Sequence, residues 1–318
     1  MLIKNKMIMK RIFLMFAVAF AASVMASAQD INKAIEAANN GNEAFQLGEY
    51  ELAIEAFQSS LAIAEALGEE GAEHAGTCKT AICNIYLAFS KNLIKAGNFD
   101  GALAKLDETI TVAEGYGASD TAESAKNLIP QVYMQKGNSA LKAKNMPAAI
   151  EAYSKVCELT PANGDAYLRL GRAYVATGKL DEAITAFETA AANGEDADAK
   201  KQLSILFLKR AQASMKAGKN QEVIDFAIKA NEYLENANAH KLAASAAQKL
   251  GKNELCIEFY EKYLAAKPDA KDASGVTFTI AALYQQLGNK AKAIENYEKV
   301  AADAQYGAQA QEQLKVLK

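Results

Sequence analysis

Residues 167–191 decide the fold: Tyr167-Leu-Arg-Leu-Gly-Arg-Ala-Tyr174, then Gly178-Lys-Leu-Asp-Glu-Ala183, then Ile184, Phe187, Ala190 and Ala191. The first segment has helical apolar spacing and the glycine at 178 stops it. A C′ residue takes the left-handed conformation, where only glycine escapes the Cβ penalty. A second helix follows, with apolar residues recurring at i, i+1, i+4 and i+7–8. One segment therefore encodes a helix–turn–helix.

Working outward, the six-residue phrase at 178 recurs seven times. It reads Gly48-Glu-Tyr-Glu-Leu-Ala53, Gly97-Asn-Phe-Asp-Gly-Ala102, Lys144-Asn-Met-Pro-Ala-Ala149, Gly178-Lys-Leu-Asp-Glu-Ala183, Gly218-Lys-Asn-Gln-Glu-Val223, Gly251-Lys-Asn-Glu-Leu-Cys256 and Gly288-Asn-Lys-Ala-Lys-Ala293. An aliphatic residue follows each one. Four positions after the small residue stand Phe57, Leu106, Tyr153, Phe187, Ala227, Tyr260 and Tyr297. A small residue lets two helices approach, and the large one fills the space beyond. At Lys144 the expectation is that the neighbouring Asn145 supplies the left-handed residue. A phrase at this pitch marks a stacked helical array.

These residues resemble the tetratricopeptide repeat, a 34-residue helical hairpin. Repeat four matches at Tyr167, Leu170, Gly171, Tyr174, Ala183, Phe187 and Ala190; repeat three at Tyr133, Gly137, Ala149, Tyr153 and Pro161; repeat six at Tyr260 and Pro268; repeat seven at Tyr284, Ala293 and Tyr297. The resemblance implies an all-α, right-handed α-solenoid of about seven helix–turn–helix repeats plus a C-terminal capping helix. It also implies a function in holding protein partners. Some members of the family hold C-terminal carboxylates with a Lys/Asn clamp. The corresponding positions here, Met134, Asn138, Arg169, Ile205 and Lys209, match that clamp only in part, so binding of chaperone tails is not expected.

The spacing of the small residues departs from a uniform ruler. Successive intervals are 49, 47, 34, 40, 33 and 37 residues. Residues 73–96 and 119–143 each read as one extended helix, with Gly68–Gly71 and Gly115–Ser119 as loops. The expected organisation is a signal peptide over 1–28, two irregular repeats over 29–118, five more regular repeats over 119–303, and a cap over 304–318 with Ala308, Leu314 and Leu317 inward.

The N-terminus reads as an export signal. Lys4, Lys6, Lys10 and Arg11 precede an apolar run from Ile12 to Val24, and Ala26-Ser27-Ala28 offers a signal-peptidase site. The run falls short of the roughly 20 residues that span a bilayer; an uncleaved anchor is the alternative. No cysteine stands directly after the site, so a lipid-anchored form is not expected. The expectation is export to the periplasm or cell envelope, or secretion, with no transmembrane anchor in the mature chain. Removing residues 1–28 deletes four basic and no acidic residues, so 31 basic face 38 acidic and the net charge moves from −3 to −7. That balance, with charges interspersed, argues against a nucleic-acid partner. Cys78, Cys83, Cys157 and Cys256 read as reduced, mostly buried thiols, since each falls on an apolar helical position. Cys78 and Cys83, five apart on one helix, point to divergent faces.

No catalytic constellation emerges, and neither a cofactor nor a metal site is expected. His74 and Cys78 could share a helix face, but a zinc site needs three or four ligands. What remains is the groove that the first helices would line. Its expected residues are Gln131, Met134 and Asn138, then Leu168, Arg169 and Arg172, then Leu208, Lys209 and Gln212. This mixture of apolar, amide and basic groups suits an extended peptide with acidic termini or side chains. A merely solvated helix face is the plain alternative. The expected function is a non-enzymatic scaffold or adaptor holding a protein or peptide. Self-association into an envelope oligomer is the second expectation, and a small-molecule carrier or enzyme the third.

Overall fold

The computed structural model describes residues 31–318, all-helical with no strand among them. The export signal expected over residues 1–28 lies outside the described residues. Fifteen α-helices follow one another. They are α1 (Ile31–Leu47), α2 (Tyr50–Ala66), α3 (Ala72–Lys95), α4 (Phe99–Gly115), α5 (Ser119–Lys142), α6 (Met146–Leu159), α7 (Gly164–Ala176), α8 (Leu180–Ala192), α9 (Asp196–Lys216), α10 (Asn220–Tyr233), α11 (Ala237–Lys249), α12 (Asn253–Ala266), α13 (Ala273–Gln286), α14 (Lys290–Val300) and α15 (Gly307–Leu317). They pair into seven hairpins, α1/α2 through α13/α14, with α15 following on α14.

Each phrase closes its hairpin by the same hydrogen bonds. At 178, the Gly178 N–H donates to the Val175 carbonyl at 3.2 Å and the Lys179 N–H to the Tyr174 carbonyl at 3.0 Å. This is a Schellman turn, and it requires a positive φ at its centre. Gly178 has φ 76°. At the third phrase Lys144 itself adopts φ 58°, not Asn145. Asn145 instead caps α6: its Oδ1 accepts from the Ala148 N–H at 3.3 Å. The same capping recurs at Asn98 and Asn289. Because Lys144 carries a Cβ in a conformation that disfavours one, Lys144→Gly is expected to stabilise the chain by about 1 kcal/mol. Thermal denaturation checks this as a rise of about 2–4 °C in midpoint.

The small-to-large pairing inside the hairpins is tight. A Cβ built on Gly41, Gly137 or Gly171 would meet the ring of Phe57, Tyr153 or Phe187 at 2.7, 2.6 and 2.6 Å. Each ring stands 16 residues after its small partner, and the other hairpins keep that register with Ser90, Ala211, Ala244 and Ala281. Phe187 and Tyr153 are fully buried.

The chain divides into two compact units, one ending at Leu159 and the other beginning at Thr160. The first unit holds α1–α6. The sequence there gives α3 and α5 as single 24-residue helices, since no glycine stops them. Its core includes two patches on α1–α5, besides Ala149, Tyr153 and Val156 of α6. One runs through Phe57, Leu61, Ile82 and Val112, and the other through Leu106 and Val132. Between Leu106 and Val112 sits the buried Thr109, 3.2 Å from the hydroxyl of the buried Ser90. The segment Gly68–Gly71, expected as a loop, is a 3-10 turn. It is pressed onto α2: a Cβ on Gly71 would lie 1.9 Å from the Ala64 carbonyl oxygen.

The second unit holds α7–α15 around one continuous core from Leu168 to Leu314. Helix α11 buries Ala239, Ala243, Ala244, Ala246 and Ala247, small side chains that admit neighbours on several sides. In α15 the inward residues are Gly307, Ala310 and Leu314. Ala308, expected inward, is exposed: the helix starts at Gly307, which turns position 310 to the core.

All four cysteines are buried and unpaired. Burial raises the Cys78 and Cys83 thiols and pushes those of Cys157 and Cys256 up to about 11. They are protonated at neutral pH and behave as small apolar core groups.

Candidate functional site

The placement of the first helices follows from their contacts. In the first unit α3 touches both α1 and α5; in the second, α9 touches α11. The second helices of successive hairpins approach one another less closely. These contacts set α1, α3 and α5 side by side in the first unit and α9 and α11 side by side in the second, so that the non-core residues of these first helices share a face.

In the first unit this face carries few charges. Gln131 is exposed, and its amide nitrogen donates to the Asn127 carbonyl at 3.3 Å. Met134 and Asn138 are half-buried, and Asn138 Oδ1 accepts the Tyr153 hydroxyl at 2.8 Å. The sequence reading passed over the adjoining stretch of α3, where Glu73, Gly76, Thr77, Thr80, Ala81 and Asn84 line a shallow cleft of about 560 Å³. Their helical spacing was the available signal, but the stretched repeat broke the alignment that would have shown it.

In the second unit the expected residues separate. Leu168 is only 3 % exposed and belongs to the core, so it offers no free surface. Its position faces inward because α7 buries side chains on a wide arc, including Ala166, Leu170 and Ala173. Leu208 is half-buried against the same core. Arg169, Arg172, Lys209 and Gln212 reach solvent. Ile205, 40 % exposed, joins them.

The basic groups of this face are mostly answered locally. Arg169 Nε donates to both carboxylate oxygens of Asp165, at 3.0 and 2.9 Å. Arg172 lies 3.5 Å from Asp198, and Lys241 lies 2.6 Å from Asp272. The Lys241 ammonium and the Tyr263 hydroxyl together hold the Asp272 carboxyl below its usual range. Lys209 forms no ion pair among the described residues. The basic part of the expected mixture is thus locally balanced: carboxylates of the same unit pair with Arg169, Arg172 and Lys241, and such surface pairs carry little energy.

The His74–Cys78 pairing also resolves. Ser60 Oγ lies 2.6 Å from the Ala34 carbonyl, 2.9 Å from His74 Nε2 and 3.2 Å from Cys78 Sγ. A serine hydroxyl has one hydrogen and two lone pairs. The hydrogen goes to the carbonyl, so His74 and Cys78 both donate to Ser60. The cluster ties α1, α2 and α3 together, and the Ser60 proton is not directed at His74, as a nucleophile–base pair would need. Among the described residues no group of three or more His, Cys, Asp or Glu side chains could hold a metal ion, and no helix is long and apolar enough to cross a membrane.

The family models agree with this architecture. Tetratricopeptide repeat models match residues 140–206, 237–270 and 277–302. Over those residues the chain carries tetratricopeptide repeats, and the helical hairpins there are the repeat units. Among curated proteins it is 28% identical over 199 residues to "RxLR effector protein SFI4" of Phytophthora infestans (strain T30-4), a match covering 61% of this chain and 54% of that one. The chain thus spans about half the length of the curated relative it matches. Similar solved structures include MamA, at 21% identity and TM-score 0.30, covering 56% of this chain and 95% of that one. Another is YrrB, titled a TPR protein with an unusual peptide-binding site, at 18% identity and TM-score 0.31, covering 61% and 97%.

Proposed function

We propose that this protein is an exported, non-enzymatic scaffold that holds an extended protein segment along the inner face of its first helices. The observation that carries the reading is that face itself. It presents amide, hydroxyl and locally neutralised charged groups over several helices. Such a surface suits a peptide backbone, whose amide groups need partners at many points. Near-neutrality favours a partner segment of low charge over the acidic termini or side chains expected from the sequence. Export is supported by the basic, apolar and small-residue order of residues 1–28.

The double substitution Lys209→Glu and Gln212→Ala alters exposed groups without touching the core. It is expected to weaken capture of the partner segment by roughly tenfold while leaving the melting temperature unchanged. Binding curves for the wild type and the variant, with a thermal melt of each, check this. Unchanged affinity would remove this face from the reading.

A second reading, self-association, is favoured by apolar groups left open in each unit. Leu47 and Leu52 are 69% and 54% exposed in the first hairpin, and Val316 is 77% exposed in the last helix. Sedimentation that shows only monomer at tens of micromolar would remove it.

A further inference from the structure

The inner face of the second unit ends in a cleft that the expected groove residues do not include. It has a volume of about 390 Å³ and is lined by Phe278, Ala282, Gln285 and Gln286 of α13, Tyr297 of α14 and Gln313 of α15. That volume lies within the range of sites that hold small ligands or a few peptide side chains. None of the six is charged, and α13 contains no charged residue along its whole length.

The polar groups of this cleft have fixed directions. The Tyr297 side chain is 2% exposed, and its hydroxyl donates to Gln285 Oε1 at 2.9 Å. The other end of that amide, Gln285 Nε2, donates to Gln313 Oε1 at 3.1 Å. The Gln313 oxygen is thereby used, and its NH2 group is left pointing away from the relay. Gln286 is oriented in the same sense, because its Oε1 accepts from Asn253 Nδ2 at 3.3 Å. Among the described residues neither the Gln286 nor the Gln313 amide nitrogen has an acceptor. A buried phenol therefore sets one carboxamide, and a neighbouring helix sets another, so that both present donors. The Phe278 ring lines the same cleft, held edge-on by Tyr297 at 5.3 Å and stacked on Tyr306 at 5.6 Å.

Two amide donors beside a rigid aromatic wall, with no charged residue in the lining, define the complement. The ligand must offer carbonyl acceptors and an uncharged apolar group, and it must carry no charge that would be stripped of water without a partner. We infer that this cleft is a subsite for an uncharged stretch of extended peptide, whose backbone carbonyls accept from Gln286 and Gln313 and whose side chain packs on Phe278. The inference rests on the peptide-holding function proposed above and assigns that function a place and a ligand chemistry.

The test selects linear twelve-residue peptides from a random display library on the immobilised chain comprising residues 29–318. Selected peptides are resynthesised with a tryptophan appended, since the protein has none and the signal comes from the peptide alone. Gln286→Glu and Gln313→Glu keep shape while turning each donor into an acceptor. Selected peptides that are poor in charged residues and that lose roughly tenfold in affinity to each variant are the expected result. Binding by the wild type should also slow backbone hydrogen exchange in α13 and α15, a readout that needs no variant. Peptides that bind with affinity unchanged in both variants and protect only α7 and α9 would overturn the subsite while leaving the scaffold reading standing. Recovery of no binding peptide would overturn both.

Discussion

Replacing Phe187 by alanine is expected to cost the second unit about 3–5 kcal/mol, and placing valine at Gly171, against that ring, about 1–3 kcal/mol. The two residues form one contact. The Phe187 ring is fully buried, and a Cβ on Gly171 would stand 2.6 Å from it, inside any tolerable carbon–carbon distance. The ring occupies the space that the missing side chain vacates, so neither change is a simple propensity effect. Glycine within a helix is itself unfavourable by about 1 kcal/mol relative to alanine. Its presence here offsets a larger steric cost. The contact also implies non-additivity: Gly171→Val with Phe187→Ala should cost less than the two changes summed, because the new methyls fill part of the cavity. Urea unfolding of the four chains measures this. Additive costs would mean that the small and large positions do not interdigitate, and the same register argument would fail at Gly41 with Phe57 and Gly137 with Tyr153.

Acidification below about pH 6.5 is expected to destabilise the second unit through His240. Its side chain is 8% exposed, and its Nδ1 lies 3.1 Å from Asn231 Nδ2. The Asn231 oxygen already accepts the Asn236 N–H at 2.7 Å, so the amide end must donate and His240 Nδ1 must accept. The ring is therefore neutral. Burial lowers its pKa, and the Lys262 ammonium of α12 lowers it further. Glu235, 3.8 Å from Nε2, and Glu258 oppose the shift without reversing it. The sign follows. The unfolded chain takes up a proton near the ordinary histidine value of about 6.5, before the folded chain does, so stability is lost as pH falls below that value. The slope from one such group is at most about 1.4 kcal/mol per pH unit, and it ends at the folded pKa. His240→Gln keeps an acceptor for Asn231 and should flatten the stability profile in this window. An unchanged profile would mean that the ring is not held neutral. Asp272, whose carboxyl is held low, adds its own loss only at more acidic pH.

Much of the hairpin architecture was legible because it rests on local chemistry. A left-handed residue must end each first helix, and glycine is the residue that does so without strain. The phrase therefore announces six of the seven turns correctly. The seventh was misread at Lys144: backbone conformation belongs to the hydrogen-bond pattern, and the Schellman turn fixes the strained position at the residue before the cap whatever its side chain. The long helices α3 and α5 were legible from the lack of a stop. Pro130 within α5 did not end that helix; it removes one N–H and leaves the helix otherwise intact.

The candidate face was less legible, for two physical reasons. Leu168 was placed on the surface because alignment gives position but not the width of the buried arc on α7. The neutralising partner of Arg172 was hidden because it is set by a tertiary contact, whereas that of Arg169, Asp165, stands four residues earlier on the same helix. Asp198 lies 26 residues from Arg172 in the chain. The cleft at Phe278 was invisible for a related reason: Gln285, Tyr297 and Gln313 come from three helices, and nothing in their local spacing announces that they meet.

The central claim is that the inner, first-helix face holds the partner. Site-specific photo-crosslinking in the native cell tests it most directly, with a photoreactive residue placed singly at Gln212 of α9, at Ser245 of α11, or at Glu188 of α8. The first two lie on first helices and the third on a second helix. The account predicts one shared adduct from Gln212 and Ser245 and none from Glu188. An adduct formed from Glu188, with nothing captured from the two first-helix positions, would contradict it.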